Sequence, residues 1–335
     1  MPSSDPATGE AMRRIAIRGV LFLVPVLLAW GMLEWWMIHI PDSHSIKREN
    51  LAKVEPEIDT LVLGASASFW DIAPSELDGK VYNLGNVAQT LYYDDALLTQ
   101  TLPKLPQLKR VILTVTYVSL FFQLHDTDEE TRQYYYWHRW HIAPPRLQDR
   151  LDPKMFSLVA LRTPGFAVSS FKDAVMQRVR GGEFAAAPFD ALIEANGWSP
   201  QQPGNPADLE SAAVNKKLFY HHRLMHRSDE ETNMAALENI VALTRARHVE
   251  LVLVVPPVYP TYAKGMKPEY WQRTQERLLE LSKREGVQYF NFLEAPGLEP
   301  TDFLDADHLN VNGAVKFTRM LRTELANRQG HPPST

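Results

Sequence analysis

A chain of 335 residues, 45% hydrophobic and 22% charged, has room for one large globular domain or for a domain with a sizeable insertion. Its 40 acidic residues outnumber 35 basic ones, and a net charge of −5 offers no basic face for nucleic acid. The absence of cysteine excludes disulfides, thiolate catalysis and cysteine-ligated metals, and leaves the compartment open.

The first dozen residues, with Pro2, Ser3, Ser4, Asp5, Pro6 and Gly9, read as a disordered tail that ends near residue 14. Arg13, Arg14 and Arg18 then lead into an apolar run over residues 19–33, and a second apolar stretch, 35–40, follows Glu34. About twenty apolar residues cross a bilayer, so residues 15–40 are predicted to form a transmembrane segment. The run is long for the core of a cleaved signal peptide, and residues 34–40 lack a small-x-small site, which favours an uncleaved signal anchor. The basic residues lie before the span, so the N-terminus is expected in the cytoplasm and the rest outside. Trp30, Trp35 and Trp36 suit the outer interface; Glu34 either reaches water there or faces a membrane partner. Residues 41–58 are polar, contain Pro41 and Pro56, and read as a linker.

Residues 60–63, Thr-Leu-Val-Leu, form a short apolar run that reads as a buried strand. It meets Gly64, Ala65, Ser66 and Ala67, small residues that permit a sharp turn and leave Ser66 exposed at the strand end. Residues 80–84 are predicted as a second strand, 90–102 as a helix and 110–115 as a third strand. Strand, helix, strand at this spacing implies right-handed crossovers and a parallel sheet, with ligands beyond the carboxyl ends of the strands.

From Tyr117 to about residue 227 the pattern breaks, and a largely helical insertion is expected. Within it, residues 134–141 (Tyr-Tyr-Tyr-Trp-His-Arg-Trp-His) read either as a half-buried cluster holding the insertion to the core or as a recognition surface. On the second reading Tyr135, Trp137 and Trp140 would stack on sugar rings or rest on a membrane. Amphipathic helical pieces follow over residues 151–227. His221, His222 and His226 have no carboxylate at ligand spacing, so no metal site is predicted.

A capping box at residues 228–231 opens a helix expected to reach about 247. Residues 249–255 are the clearest strand, stopped by Pro256 and Pro257. Residues 268–285 read as a helix capped by Gly286, and 288–292 as the last strand. Asp305 and His308 then sit on one turn, followed by a helical run from 315 and a frayed tail from Gln329. A serine nucleophile needs a base, and the base needs a carboxylate to fix its tautomer; Ser66, His308 and Asp305 supply these from opposite ends of the chain.

At these residues the chain resembles the SGNH (GDSL-like) hydrolase superfamily. Gly64-Ala65-Ser66 stands where the family's Gly-Asp-Ser block falls, and Asp305-x-x-His308, followed by Leu309 and Gly313-Ala314, resembles its last block. Tyr82-Asn83-Leu84-Gly85-Asn86 resembles the second block, and Thr114-Val115-Thr116-Tyr117 occupies the place of a third, Gly-x-Asn-Asp, that is not recognisable. The resemblance is closer to membrane-anchored members of bacterial cell-surface acylation, of the alginate O-acetylation and teichoic acid D-alanine transfer type. It implies a three-layer α/β/α domain over residues 59–330 with about five parallel strands. It also implies a Ser66 nucleophile, a His308 base oriented by Asp305, and an oxyanion held by the amides of Ser66 and Gly85 with help from Asn86 or Thr116. No cofactor is implied. The partners would be a multi-spanning membrane acyltransferase and a glycan acceptor on the periplasmic side of the inner membrane, the product an O-acyl, most often O-acetyl, glycan. An ester hydrolase and a non-catalytic scaffold remain alternatives.

Overall fold

The computed structural model describes residues 6–161, 176 and 192–329. Residues 1–5, the amphipathic pieces expected across 162–175 and 177–191, and the tail beyond 329 lie outside the described residues. The chain forms two compact units, one of Met1–Pro41 with Arg150–Ala187 and one of Asp42–Asp149 with Pro188–Thr335.

The first unit is built on a helix, Pro6–Ile38, so the tail expected over residues 1–14 is already helical from Pro6. Its segment Gly9–Ile38 contains an 18-residue stretch with a mean hydropathy of 2.1, and is long and apolar enough to cross a membrane. Glu34 turns to its own unit: its carboxylate accepts hydrogen bonds from Ser157 Oγ (2.8 Å) and the Leu158 amide (2.7 Å). Those donors open the short helix Leu158–Leu161, whose unpaired first-turn amides favour an anion.

The second unit holds a five-stranded parallel sheet in the order β2-β1-β3-β4-β5. The strands are β1 Thr60–Leu63, β2 Val81–Asn83, β3 Arg110–Thr114, β4 Glu250–Val255 and β5 Val287–Asn291. Its helices are α1 Ser43–Val54, α2 Ser66–Asp71, α3 Leu91–Thr101, α4 Arg132–Trp140, α5 Ser211–Leu224, α6 Glu230–Ala246, α7 Pro268–Leu281 and α8 Val311–Gln329. The strands read as continuous apolar runs because both faces are covered. Leu61, Leu63, Val111, Leu113, Leu251 and Leu253 pack into one core with α3, α5 and α6. Val62, Ile112, Val252 and Val254 point the other way, against Phe317 and Leu321 of α8. Each such side chain contributes about 1.5–3 kcal/mol through burial. This is the three-layer α/β/α arrangement with five parallel strands expected from the sequence.

Two boundaries differ from expectation. Residues 41–58 are no linker: α1 is capped by Asp42, and its His44, Lys47 and Leu51 are buried in the second unit. The capping box expected at residues 228–231 does not form. Residues Arg227–Asp229 make a single 3₁₀ turn, and Asp229 gives α6 no side-chain cap.

Candidate active site

The sheet order reverses at β1 and β3, and the crevice beyond the strand ends at such a switch point is where α/β folds bind ligands. Ser66 follows β1 as the first residue of α2, and Thr116 follows β3. Gly64 makes the turn possible. It holds φ +124°, and a Cβ there would lie 2.3 Å from Thr114 Oγ1. Its amide donates to the buried carboxylate of Asp94 (2.8 Å), on α3.

The residues at 305 and 308 reach the same crevice on a hairpin. Phe303–Asp305 pairs antiparallel with His308–Leu309, and Asp305 stands directly opposite His308. Cross-strand pairing thus brings the two side chains together, a tighter device than the loop expected. Asp71, at the end of α2, ties this hairpin to the serine helix by accepting from the Leu309 amide at 2.9 Å.

Ser66 Oγ lies 2.8 Å from His308 Nε2, and His308 Nδ1 lies 2.9 Å from Asp305 Oδ1. With the proton on Nδ1 facing the carboxylate, Nε2 is left to accept from the serine hydroxyl. Trp70 packs edge-on against the imidazole, ring centroids 4.5 Å apart. Burial raises the cost of the Asp305 charge, but His308 and Lys217 outweigh it and hold that carboxyl well below the usual carboxylate range.

Lys217, which the sequence did not single out, comes from α5 of the insertion. Its Nζ bridges Asp305 Oδ2 and Asp307 Oδ1 and lies 3.4 Å from His308 Nδ1. Burial works against its charge, and Asp307 and Asp305 overcome that, holding the ammonium above its ordinary value. One turn on, His221 Nδ1 meets Tyr262 Oη at 2.6 Å and is kept from protonating chiefly by burial. Asp305, Asp307 and His308 have ligand atoms within 4.8 Å of one another, a spacing that suits a cation. Lys217 already supplies one. A lysine inside an otherwise ordinary amphipathic helix carries no sequence signal of such a role.

The oxyanion donors differ from expectation. The Gly85 amide donates to Asn83 Oδ1 (3.1 Å), and its lack of a Cβ instead lets it approach Ser68 Cβ, 2.5 Å from where a Cβ would sit. The Asn86 amide donates to Gly64 O (3.1 Å) and its side-chain Nδ2 to Ser43 Oγ (3.1 Å). Neither residue lines the cavity beside Ser66, whereas Val87, Ala88 and Thr116 do. Among the described residues, the amides of Ser66 and Ala67, in the first turn of α2, and of Ala88 have no hydrogen-bond acceptor. Ala88 adopts φ +56° in a turn closed by Gln89 N to Asn86 O (3.1 Å), a conformation that costs a residue with a Cβ about 1 kcal/mol or more.

Tyr135, Trp137 and Trp140 do not line the cavity. Their helix, α4, packs on α1: Tyr135 stacks on His44 (5.7 Å), and the neighbouring Tyr136 stacks on Tyr93 (3.8 Å) while donating to Gln89 (3.0 Å). Trp140 is buried and borders a separate cleft with Arg48 and Lys104. An amphipathic helix presents its aromatic face to the core before it presents it to a ligand.

One protein-family model matches residues 217–329, from Lys217 through His308 to the end of α8. No curated protein sequence matches the chain. Among solved structures, the chain is similar to a GDSL-like lipase from Bacteroides thetaiotaomicron, with 11% identity over 86% of this chain and 100% of that one and a TM-score of 0.39. A candidate acylhydrolase from Bacteroides fragilis shares 9% identity over 84% of this chain and 94% of its own, with a TM-score of 0.39. A candidate platelet activating factor from Streptococcus pneumonia shares 15% identity over 91% and 99% of the two chains, with a TM-score of 0.38.

Proposed function

We propose that this protein is a membrane-tethered serine acyltransferase that O-acylates a glycan of the cell envelope from the extracytoplasmic side. The observation that carries the reading is the hydrogen-bonded series from Ser66 Oγ through His308 to Asp305. His308 Nε2 takes the hydroxyl proton as Oγ bonds to the acyl carbon, and returns it to the departing alcohol. An acceptor hydroxyl then gives its proton to His308 and attacks the acyl-serine, and His308 passes that proton to Oγ as the acyl–Oγ bond breaks, which restores Ser66. The carbonyl oxygen, negative in each tetrahedral intermediate, faces the amides of Ser66 and Ala88, with the Thr116 hydroxyl at the same wall. The N-terminal helix supports a tether beside a multi-spanning acyltransferase that delivers the acyl group.

The decisive measurement is the acyl content of the surface glycan in cells expressing the native chain, Ser66→Ala or neither. Acylation is expected with the native chain alone. Higher acyl content in the null strain would make the protein an ester hydrolase, and equal content with Ser66→Ala and the native chain would make it a scaffold.

A further inference from the structure

The cavity beside Ser66 is larger than the chemistry of a small acyl group requires, and its walls are apolar. It has a volume of about 200 Å³. Val87, Val118, Phe122, Leu224, Val258 and Leu293 supply hydrocarbon from five separate stretches of chain. Polar side chains also border it, and the tyrosines, Glu129 and Lys217 among them already have partners within the protein. Tyr220 Oη donates to Glu129 Oε1 (2.9 Å), whose other oxygen accepts from Arg132. Tyr117 Oη accepts from the Lys267 amide (2.8 Å) and meets His222 Nε2 (3.1 Å). Tyr262 Oη is paired with His221, and Lys217 with Asp305 and Asp307. The polar groups a reacting group would meet gather at the end of the cavity where Ser66 and His308 stand, with Thr116 and Trp70 beside them.

This lining suits neither of two occupants. A sugar ring would set several hydroxyls against a wall that is mostly hydrocarbon, each costing about 1–3 kcal/mol when buried unmet. An acetyl group would place one methyl beside Ser66 and leave most of the space empty, forfeiting the contacts that make such a cavity worth enclosing. A water occupies about 30 Å³ of liquid, close to the share of a methylene, so the cavity holds a chain of about six carbons or more.

Resting on the reading of Ser66 as an acyl-transfer nucleophile, we propose that this cavity is an acyl-chain site for a medium-length saturated chain, not for acetate. The chain lies among Val118, Phe122, Leu224 and Val258, with its carbonyl carbon at Ser66. Three of these positions, Val118, Phe122 and Leu224, belong to the segment inserted between β3 and β4. On this account the insertion sets acyl length.

The test uses the full-length protein in lipid nanodiscs, with empty nanodiscs as the blank. Hydrolysis of p-nitrophenyl acetate, butyrate, hexanoate, octanoate and decanoate gives kcat/KM as a function of length. Titration calorimetry with sodium acetate and sodium octanoate gives binding independently of turnover. Full burial of a methylene multiplies affinity about fourfold, so kcat/KM should rise at least about 100-fold from acetate to octanoate. Octanoate should bind and acetate should not, and Ser66→Ala should abolish turnover while octanoate still binds. Val118→Trp, which fills the cavity, should move the optimum to butyrate or shorter, and the milder Val118→Leu should move it part of the way. A profile that is flat or falls beyond acetate, with turnover still lost in Ser66→Ala, overturns the acyl-chain site and leaves the serine reading standing. Octanoate binding without turnover of any ester supports the site and overturns the serine reading. Neither turnover nor octanoate binding overturns both.

Discussion

Nζ of Lys217 lies 3.4 Å from Nδ1 of His308, and the same ammonium joins the carboxylates of Asp305 and Asp307. A single cation from the insertion thereby offsets one of the two negative charges that crowd one imidazole. The insertion is therefore part of the geometry around Ser66 and His308 as well as of the cavity wall.

Removing that cation has a measurable consequence. In Lys217→Met the two carboxylates lose the ammonium that holds them side by side, and Asp305 loses one of the partners that fix it opposite His308. For p-nitrophenyl esters kcat should fall about 10- to 100-fold with KM little changed, because the base is misplaced while the cavity stays. Lys217→Arg, which keeps the charge, should restore most of the native kcat. An unchanged kcat in Lys217→Met would show that Lys217 only packs.

Ser66→Ala and His308→Ala should each lower ester turnover by at least about 10⁴-fold, and the double variant should fall little further, because the pair acts as one unit. Multiplicative losses would mean that the 2.8 Å contact between them is not used in the reaction.

Asp94 gives the fold its own pH signature. Burial pushes its carboxyl from 3.8 up to about 7. Below the lower value both folded and unfolded chains carry the proton; between the two only the folded chain does. The stability Asp94 contributes is therefore full below about pH 4 and is lost as pH rises through 7, at about 1.4 kcal/mol per unit of difference. Asp94→Asn keeps an acceptor for the Gly64 amide and removes the titration. Thermal melts at pH 5 and pH 8 should differ less for the variant than for the native chain. An equal difference would mean that Asp94 is not the titrating group.

Gly64→Ala should be disproportionately damaging. The backbone sits at φ +124°, and the new methyl would lie 2.3 Å from Thr114 Oγ1 and 2.7 Å from Ser68 Oγ. Strain and overpacking together should cost at least about 2–3 kcal/mol, read from denaturant unfolding, and turnover should fall with it because Ser66 is two residues on.

Strands such as Val249 to Val255 were legible because both faces of a parallel sheet are buried, which leaves an uninterrupted apolar run. That Ser66, Asp305 and His308 meet was legible because turn chemistry and residue type suggest one shared hydrogen-bonded series, and the three side chains do form it. The oxyanion donors were not. Gly85 looks like the conformationally free residue, yet it serves a close packing contact, while Ala88, which no propensity would choose, takes the left-handed turn. Lys217 and the cavity wall were hidden for another reason. They depend on where α5 docks, and an insertion's docking is a tertiary fact without local periodicity. The segment at 41–58 misled because its charges mask a buried stripe, His44, Lys47 and Leu51, at helical spacing.

Topology gives the last prediction, and the composition makes its test clean. Arg13, Arg14 and Arg18 precede the apolar part of the helix Pro6–Ile38, and no comparable basic cluster follows it. The positive-inside rule predicts that the N-terminus stays in the cytoplasm and that the second unit lies outside. The chain has no cysteine, so a single introduced thiol reports its own compartment without background. Ser4→Cys marks the N-terminal side and Lys283→Cys, at an exposed position, marks the second unit. A membrane-impermeant maleimide applied to intact spheroplasts should label Lys283→Cys and spare Ser4→Cys, and both should react after lysis. The labelled protein should remain at full length in the membrane fraction, because residues 34–40 offer no signal-peptidase site. Labelling of Ser4→Cys in intact spheroplasts would invert the topology and strand Ser66 in the cytoplasm, away from any envelope glycan. Recovery of a soluble labelled fragment lacking the helix would mean that no tether holds the site beside a membrane donor.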